Sequence, residues 1–478
     1  MASRKLRLGL SAAAFSIIAT AVMAQESPVN IQGGGATSGG ADYLQELATF
    51  DNAAAAGTAK FLNANADSLG NAVYWPSGSS TGQSAFLDNN NNENCIKVLG
   101  STSSFCANNA PGGFNAVHYA ASDSALSTTQ ISAWATSAFG TTASGHLIQI
   151  PSLGTAIALP VINSLVTQNG ATTSHTAVLG GIILTDNDLC GIFSGKITDW
   201  NQTSANAKLA PGLITVVYRN DGAGATFQLL NHFTAVCTAA NSSFKTLPVV
   251  ASLTFASLFP GGVLPIPPLQ TVTNFLGVKL SSGMANTLAN LAGGPTLTSA
   301  IGYVSPDYTT VDPNSDVRLS NGQPSLLVVA AVKLGALPYI PDVASIRTAL
   351  NHGKIFNPAG PSAPPTTATA GAQTAAYVPL IETVSSGYPI VGYAVFNFAQ
   401  CYASPGITKA LLDFLVKGHY SATNTTYSAI INRNGFVAIS NSGAKAFLTA
   451  INNNILKNVN GWNDNIGNAT ACAGLTGR

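Results

Sequence analysis

The segment LITVVYRNDGAGATFQLLNHFTAVC, residues 213–237, contains the clearest fold signal of this chain. It opens with an apolar run rich in β-branched residues, 213–218, which predicts a buried strand. A turn with two glycines follows. From Thr226 to Cys237 the apolar side chains recur at helical spacing, which predicts a helix with one buried face. A strand joined to a helix by a glycine-rich turn is the repeating unit of α/β folds.

The same alternation of short apolar runs, glycine-rich turns and helical patterns continues on both sides of this segment. Further predicted strands cover 148–162, 325–332 and 390–398, and further predicted helices cover 42–52, 343–351, 408–415 and 444–455. Two proline-rich segments, 259–268 and 357–377, interrupt the pattern and are predicted to be surface insertions. The fold class is therefore predicted to be α/β.

Residues 1–24 have the features of a secretory signal peptide. Three basic residues, Arg4, Lys5 and Arg7, precede an apolar run that ends at the small residue Ala24. The run is shorter than the roughly 20 apolar residues of a membrane span, and no later segment is apolar enough to span. No cysteine follows Ala24, so no lipid anchor is expected. We therefore expect a periplasmic or secreted protein without a membrane span in its mature part.

Only 8% of the residues are charged, and the formal net charge is +1. Globular domains usually contain about 25% charged residues. Nucleic acids and anionic membranes are bound through clustered Lys and Arg side chains, so this composition argues against both as partners. An anionic ligand would have to be held by hydrogen bonds more than by net charge.

Six cysteines are an even number, and in an exported chain they predict disulfide bonds. Several connectivities are possible, and pairing in chain order is the natural guess. A metal cluster is the alternative, but no Cys-x-x-Cys or His-rich spacing supports it, and no cofactor is expected. The pairs in chain order are Cys95–Cys106, Cys190–Cys237 and Cys401–Cys472.

Three short polar turns have the composition of an oxyanion site. They are Gly33–Thr37 (GGGAT), Ser77–Gly82 (SGSSTG) and Tyr218–Thr226 (YRNDGAGAT). Each precedes a helical pattern, where glycines allow close approach of a ligand and unpaired N–H groups face it. Arg219 adds a planar cation that suits a tetrahedral anion. As alternatives, the first turn is a flexible leader and the second an ordinary capped loop.

Asp123 lies between the second and third turns, in the segment AASDSALS, residues 120–127. A carboxylate beside an anion is useful if the anion carries a proton, because the carboxylate then accepts a hydrogen bond from it. Fully ionised sulfate offers no such proton and would be repelled. The alternative is that a Ser or Asp before Leu126 is a helix N-cap.

Taken together and in this order, these segments resemble the phosphate-binding proteins of high-affinity phosphate transporters (PstS-like), and most closely their secreted DING-type relatives. The resemblance covers almost the whole mature chain and includes residues 189–196 (LCGIFSGK) and 301–303 (IGY). It implies a type II periplasmic-binding-protein fold, in which two α/β lobes are joined by a hinge of two crossings. By this resemblance the first lobe is 25–155 plus 387–478, and the second lobe is 156–386.

The resemblance also implies a ligand, a partner and a set of site residues. Inorganic phosphate would be buried between the lobes of a monomer, with the permease of an ABC transporter as a possible partner. The family's disulfides correspond to Cys190–Cys237 and Cys401–Cys472, which leaves Cys95–Cys106 as an addition. The implied ligand contacts are Thr37, the backbone of Ser38, Ser79, Asp123, Arg219 and the backbone of Gly224.

The third turn departs from the family pattern. Where the family carries hydroxyl residues before and after the glycine, this chain has Ala223 and Ala225. A hydrogen bond to a charged group contributes up to about 3 kcal/mol, so the loss of two donors predicts a weaker affinity. Thr226 or Ser80 could compensate, or the site could prefer another oxyanion.

Two other functions remain open at this point. Secreted members of the family are sometimes described as alkaline phosphatases, but such enzymes use metal ions held by Asp, His and Glu. The six histidines here are scattered without metal-ligand spacing, and Ser79 or Thr37 would lack an adjacent base. The low charge and the polar surface would also suit a surface-interaction protein or adhesin that reuses the fold. A non-enzymatic binding protein is the preferred interpretation.

Overall fold

The computed structural model describes ten segments of the chain and a few single residues between them. The segments are 31–53, 74–97, 104–106, 116–166, 181–266, 274–293, 299–311, 327–355, 381–441 and 445–478, and the single residues are 317, 319, 323 and 325. The predicted signal peptide, 1–24, and the predicted insertion 357–377 lie outside the described residues.

Most of the strands are short, and only β6 and β16 are longer than five residues. They are β1 (Gly33–Gly35), β2 (Tyr74–Trp75), β3 (Cys95–Lys97), β4 (Ser104–Cys106), β5 (Tyr119–Ser122), β6 (Leu147–Ala156), β7 (Val161–Ile162), β8 (Ile183–Leu184), β9 (Thr215–Arg219), β10 (Phe275–Val278), β11 (Ala300–Ile301), β12 (Ala331–Leu334), β13 (Leu337–Tyr339), β14 (Gly353–Ile355), β15 (Ile381–Val384), β16 (Val391–Ala399) and β17 (Val437–Ala438).

Helices occupy the five predicted helical regions, and further helices lie outside them. They are α1 (Gly40–Ala53), α2 (Ser79–Leu87), α3 (Thr128–Thr136), α4 (Thr141–Ser144), α5 (Asp186–Ser194), α6 (Gly224–Val236), α7 (Leu280–Gly293), α8 (Val343–His352), α9 (Pro405–Asp413), α10 (Thr425–Arg433) and α11 (Lys445–Ala450). The α9 and α11 helices continue as π-helical turns, Phe414–His419 and Ile451–Leu456, so the two C-terminal predicted helices extend further than their α-helical parts.

Two predicted strands are interrupted in the structure. The predicted strand 148–162 is divided into β6 and β7, and over 325–332 regular pairing begins only at β12, with isolated bridges before it. One of these bridges joins Val329 to Pro160. Proline has no N–H group to donate to a ladder, so a continuous strand pairing is not possible at this position.

Three sheets of three or more strands, together with the two-stranded pairs β14–β15 and β3–β4, make up the described part of the chain. A six-stranded sheet, in the order β17-β6-β16-β5-β1-β2, combines strands from both ends of the chain, with β1 parallel to β2 and β5. A four-stranded sheet, β10-β9-β11-β7, comes from the middle of the chain, and a three-stranded sheet, β13-β12-β8, accompanies it. This is the mixed α/β architecture that the sequence predicts.

The chain passes between the sheets at two adjacent places, one after β6 and one before β16. The N–H group of Ile157 donates to the carbonyl oxygen of Ile390 at 2.9 Å, and the hydroxyl of Tyr388 donates to the carbonyl oxygen of Ile157 at 2.6 Å. These bonds hold the crossings side by side. The lobe boundaries at 155/156 and 386/387 stay predictions.

Two disulfide bonds are present among the described residues. Cys190 in α5 is bonded to Cys237 just after α6, and Cys401 is bonded to Cys472, each with a Cα–Cα distance of 5.5 Å. Cys95 and Cys106 are directly opposite each other in the antiparallel β3–β4 pair, and the bond between them stays a prediction. Among the described residues, no helix has the length and apolar character needed to cross a membrane.

Candidate anion-binding site

The first and second polar turns meet at the C-terminal end of β1. The N–H group of Gly78 donates to the carbonyl oxygen of Gly35 at 2.7 Å. Gly78 has a φ of 106°, a conformation that favours glycine. A Cβ atom at Gly82 would lie only 2.3 Å from the Cα atom of Gly35, so helix α2 packs directly on the strand. The first turn is therefore part of a sheet, and the interpretation of it as a flexible leader is wrong.

The third turn follows β9 of the four-stranded sheet and contacts the second turn. The N–H group of Ser80 donates to the carbonyl oxygen of Gly222 at 3.3 Å. A Cβ atom at Gly224 would lie 2.6 Å from Ser79 Oγ and 2.6 Å from the Cβ atom of Asp123. The first-lobe residues thus meet the start of α6, and only glycine at position 224 allows this approach.

Helices α2 and α6 begin at this junction without a side-chain cap. Gly78 and Ala223 are the N-cap residues, and neither supplies a side-chain acceptor. The first N–H groups of a helix have no partner within the helix, and the helix dipole makes this end attractive to anions. The two helix starts therefore offer N–H donors to an anion between the lobes.

Arg219 lies at the end of β9 and is almost completely buried. Its Nε and Nη2 atoms donate to the two carboxylate oxygens of Asp221, both at 2.6 Å, and its Nη1 donates to Ser281 Oγ at 3.2 Å. Its backbone N–H donates to the hydroxyl of Tyr303 at 2.9 Å. The guanidinium is consequently held in one orientation, and Asp221 partly neutralises its charge.

Asp123 is buried at the end of β5, directly across from the third turn. The hydroxyl of Ser38 donates to Asp123 Oδ2, and the backbone N–H of Asp123 donates to Ser79 Oγ at 3.3 Å. Burial raises the pKa of the Asp123 carboxyl to about 6, while the Ser38 hydrogen bond and the charge of Arg219 oppose this rise. Ser127, with Gln130, forms the capping box of α3. The interpretation of Asp123 as a helix cap is therefore wrong.

A second-lobe side chain also reaches the backbone of Asp123. Gln228 in α6 donates from Nε2 to the carbonyl oxygen of Asp123 at 3.1 Å. A Cβ atom at Gly392 would lie 3.2 Å from the Cδ atom of Gln228, so a larger residue would crowd this amide. The hydrogen bond is one more link between α6 and the six-stranded sheet.

Thr37 contacts a residue that the sequence did not single out. Its hydroxyl donates to Ser281 Oγ at 2.8 Å, and the backbone N–H of Ser281 donates to Thr37 Oγ1 at 3.3 Å. Ser281 stands in the first turn of α7, after the short strand β10. The segment around Ser281 lacks the glycine-rich turn that is present in the three polar turns. The sequence feature that it does have is a serine between a short strand and a helix.

The structure thus brings together Thr37, Ser38, Ser79, Asp123, Arg219 and Gly224, and adds Asp221, Gln228, Ser281 and Tyr303. Of the two residues considered as replacements for the missing hydroxyls, Ser80 lies beside the third turn through its backbone N–H group, and Thr226 has another side-chain contact. Thr226 Oγ1 is 2.8 Å from the hydroxyl of Tyr303, and the N–H group of Ala223 donates to the carbonyl oxygen of Leu253 at 2.9 Å. The side chain of Ala225 packs in the hydrophobic core.

Four histidines, His118, His146, His232 and His419, have contacts outside this site. His419 bonds to Glu46, His232 to Asp186 and His118 to the N–H group of Gln32. Among the residues that the structure describes, no group of three His, Cys, Asp or Glu side chains could hold a metal ion. The groups assembled at the site are hydroxyls, backbone N–H groups, one arginine, one side-chain amide and the carboxyls of Asp123 and Asp221.

The close approach of Gly224 to Ser79 and Asp123 can be tested by substitution. In Gly224→Ala, the added methyl group should force the turn away from Ser79 and Asp123. Because overpacking of a tight contact costs about 1–3 kcal/mol, the affinity for the anion should fall by a factor of about 5 to 150. Gly283→Ala in α7 is the matched control, since a Cβ atom there meets no atom within 4 Å. Titration calorimetry on both variants checks this, and wild-type affinity in Gly224→Ala would contradict the described junction.

Two α/β parts that meet at uncapped helix starts, with a buried arginine between them, define the class of two-lobed binding proteins for small oxyanions. Residues 24–418 match the family model described as "PBP superfamily domain", and the chain belongs to this family. The predicted type II periplasmic-binding-protein fold and the resemblance to the phosphate-binding and DING proteins are confirmed.

Relatives and solved structures agree with this assignment over most of the chain. "Alkaline phosphatase L" of Pseudomonas aeruginosa is 30% identical over 419 residues, which cover 87% of this chain and 90% of the relative. A "Phosphate-binding protein" from an unknown prokaryotic organism is 28% identical and covers 84% and 94%, respectively. The structure of PfluDING, a high-affinity periplasmic phosphate-binding protein bound with phosphate, has a TM-score of 0.64 and 27% identity, with coverages of 94% and 99%.

Proposed function

We propose that this protein binds inorganic phosphate between its two lobes and that it acts as an exported binding protein for uptake or scavenging. The observation that carries the proposal is the pairing of a buried arginine with a buried acceptor carboxyl. Arg219 attracts the anion, and Asp123 accepts a hydrogen bond from a proton that phosphate carries and sulfate lacks. Relatives and solved structures that are named as phosphate-binding proteins support the same ligand.

The proposal extends to the setting in which the protein works. The predicted signal peptide supports export to the periplasm or the medium, and a permease of an ABC transporter is the proposed partner for uptake. The contacts between the third turn and the first lobe support closure over the anion by hinge motion, as in other two-lobed binding proteins. The proposed active form is a monomer.

Titration calorimetry with phosphate, arsenate and sulfate tests the proposal directly. We expect a heat of binding for phosphate at micromolar protein and none for sulfate at neutral pH. Small-angle scattering of the same samples should show a smaller radius of gyration with phosphate than without it. No phosphate heat under these conditions would refute the proposed function.

A hydrolase is the second candidate, because Ser38 and Asp123 are arranged as a hydroxyl and a base. The hydroxyl of Ser38 donates to Asp123 Oδ2, which is the relation of a nucleophile to its general base. The name of the Pseudomonas aeruginosa relative points in the same direction. The sequence offers Ser79 and Thr37 as candidate nucleophiles, whereas the hydroxyl that donates to Asp123 Oδ2 is that of Ser38.

We expect the protein to bind phosphate without hydrolysing phosphate esters. The Ser38→Ala variant distinguishes the binding protein from the hydrolase. Rigorously purified wild type should release no more phosphate from a monoester than the buffer does. In Ser38→Ala the affinity for phosphate should change less than about tenfold, because the loss is one neutral hydroxyl. Turnover in the wild type that disappears in Ser38→Ala would establish the hydrolase instead.

A further inference from the structure

Ser281 lies at the site, but none of the three polar turns of the sequence includes it. It is 2% exposed and stands in the first turn of α7, in the second lobe. Its side chain contacts two of the predicted ligand residues, Thr37 from the first lobe and Arg219 from the second. Its position is therefore where donors from both lobes converge.

The hydrogen-bond roles of the Ser281 hydroxyl can be assigned from its partners. It accepts one hydrogen bond from the Thr37 hydroxyl at 2.8 Å and one from Arg219 Nη1 at 3.2 Å. A serine hydroxyl has two acceptor lone pairs and one proton to donate. Because both acceptor positions are taken, the proton of Ser281 is the group left for a ligand.

The backbone before Ser281 reinforces this orientation. Leu280 has a φ of 62°, in the left-handed region that leucine rarely adopts, and its N–H group donates to Asp221 Oδ2 at 3.3 Å. The next N–H group, that of Ser281, donates to Thr37 Oγ1 at 3.3 Å. Two successive amides are thus directed at the residues around Arg219, and the strained conformation is held by these contacts.

The third turn lacks the side-chain donors that a further hydroxyl would replace. Ala223 and Ala225 have no hydroxyl, and Thr226 Oγ1 is bonded to Tyr303. We propose that Ser281 is an additional ligand of the bound anion, and that its hydroxyl supplies from α7 the donor that the third turn lacks. This inference rests on the proposed function, since it assigns a further contact to the same phosphate.

The test compares Ser281→Ala with Ser282→Ala, the same change at the next position of the same helix. Calorimetric titration of phosphate should give an affinity about 10- to 100-fold weaker for Ser281→Ala, as expected for one hydrogen bond to a charged ligand, and wild-type affinity for Ser282→Ala. Thermal unfolding without phosphate reports whether either variant is misfolded. Equal affinities in the wild type and both variants would overturn the role of Ser281 while leaving the proposed function intact.

A rescue variant separates a ligand from a contact that merely joins the lobes. Ala223→Ser places a hydroxyl at the uncapped start of α6, where serine is a favourable residue. In the Ser281→Ala background it should restore part of the lost affinity, because it supplies a donor to the anion but no partner to Thr37. A loss in Ser281→Ala without any restoration would overturn the donor role. Absence of phosphate binding in the wild type would overturn the proposed function and this inference together.

Discussion

Replacement of Arg219 by alanine should weaken phosphate binding by at least about a hundredfold. The substitution removes the only guanidinium among the residues assembled here, and it also leaves the Asp221 carboxylate without the two 2.6 Å hydrogen bonds from that group. Removing one partner of a buried ion pair costs about 3–5 kcal/mol, because the remaining charge is uncompensated. The uncompensated carboxylate would in addition repel the anion. Titration calorimetry at neutral pH and constant ionic strength measures the effect.

The double variant Arg219→Ala/Asp221→Asn distinguishes these two contributions. If repulsion by Asp221 is part of the loss, neutralising it should restore at least about tenfold of the affinity. Arg433→Ala, an exposed arginine on α10, is the control for the substitution itself and should bind phosphate as the wild type does. An Arg219→Ala protein with near wild-type affinity would place the anion elsewhere.

Asp123→Asn should convert a site that excludes sulfate into one that binds it. The carboxylate accepts a hydrogen bond from a protonated anion, whereas the amide of asparagine can donate to any oxyanion. In the wild type, the pKa of Asp123 is raised to about 6, mainly by burial. Sulfate should therefore compete with phosphate only below about pH 6, where the carboxyl is protonated and can donate. In Asp123→Asn, sulfate should compete at every pH, as displacement titrations from pH 5 to 8 would show.

The same carboxyl should make the stability of the anion-free protein depend on pH. Its pKa in the folded protein, about 6, is higher than its ordinary value of 3.8, so the folded state binds the proton more tightly than the unfolded state does. This contribution is fully present below about pH 4 and is lost as the pH rises through about 6. The loss is about 3 kcal/mol if about 1.4 kcal/mol corresponds to each pH unit of the shift.

Denaturant unfolding across this pH range checks the contribution of Asp123. The difference in unfolding free energy between Asp123→Asn and the wild type should change between pH 4 and pH 6 in the direction that favours the variant at higher pH. Other buried carboxyls, such as Asp42, affect both proteins and cancel in the difference. A difference that does not vary with pH would contradict the burial of an ionisable carboxyl at position 123.

Several elements of the site follow from local sequence patterns. The strand–turn–helix unit at Arg219 was predicted because apolar periodicity and the glycine turn are properties of adjacent residues. The three turns and Asp123 meet in the structure as the resemblance implied. The segment 325–332, in contrast, has strand-like composition but pairs irregularly, because its partner at one position is Pro160.

Ser281 shows where sequence patterns are insufficient. Its partner Thr37 is 244 residues away, and no feature of either segment indicates the other. Asp221, in contrast, belongs to the third turn, which the sequence pattern indicates. Its two hydrogen bonds with Arg219 nevertheless depend on the orientation of the Arg219 side chain at the end of β9. Ser38 was predicted to act through its backbone, and the structure additionally places its hydroxyl on Asp123.

The sequence by itself determined the α/β class, the three helix-opening turns and the arginine among them, because these depend on spacing and on the backbone freedom of neighbouring residues. Only the tertiary structure decided which turns face one another, that Ser281 joins them and that Asp123 is buried enough to raise its pKa to about 6. These properties depend on two sheets that bring distant segments together and exclude water between them, and local sequence patterns do not contain that information.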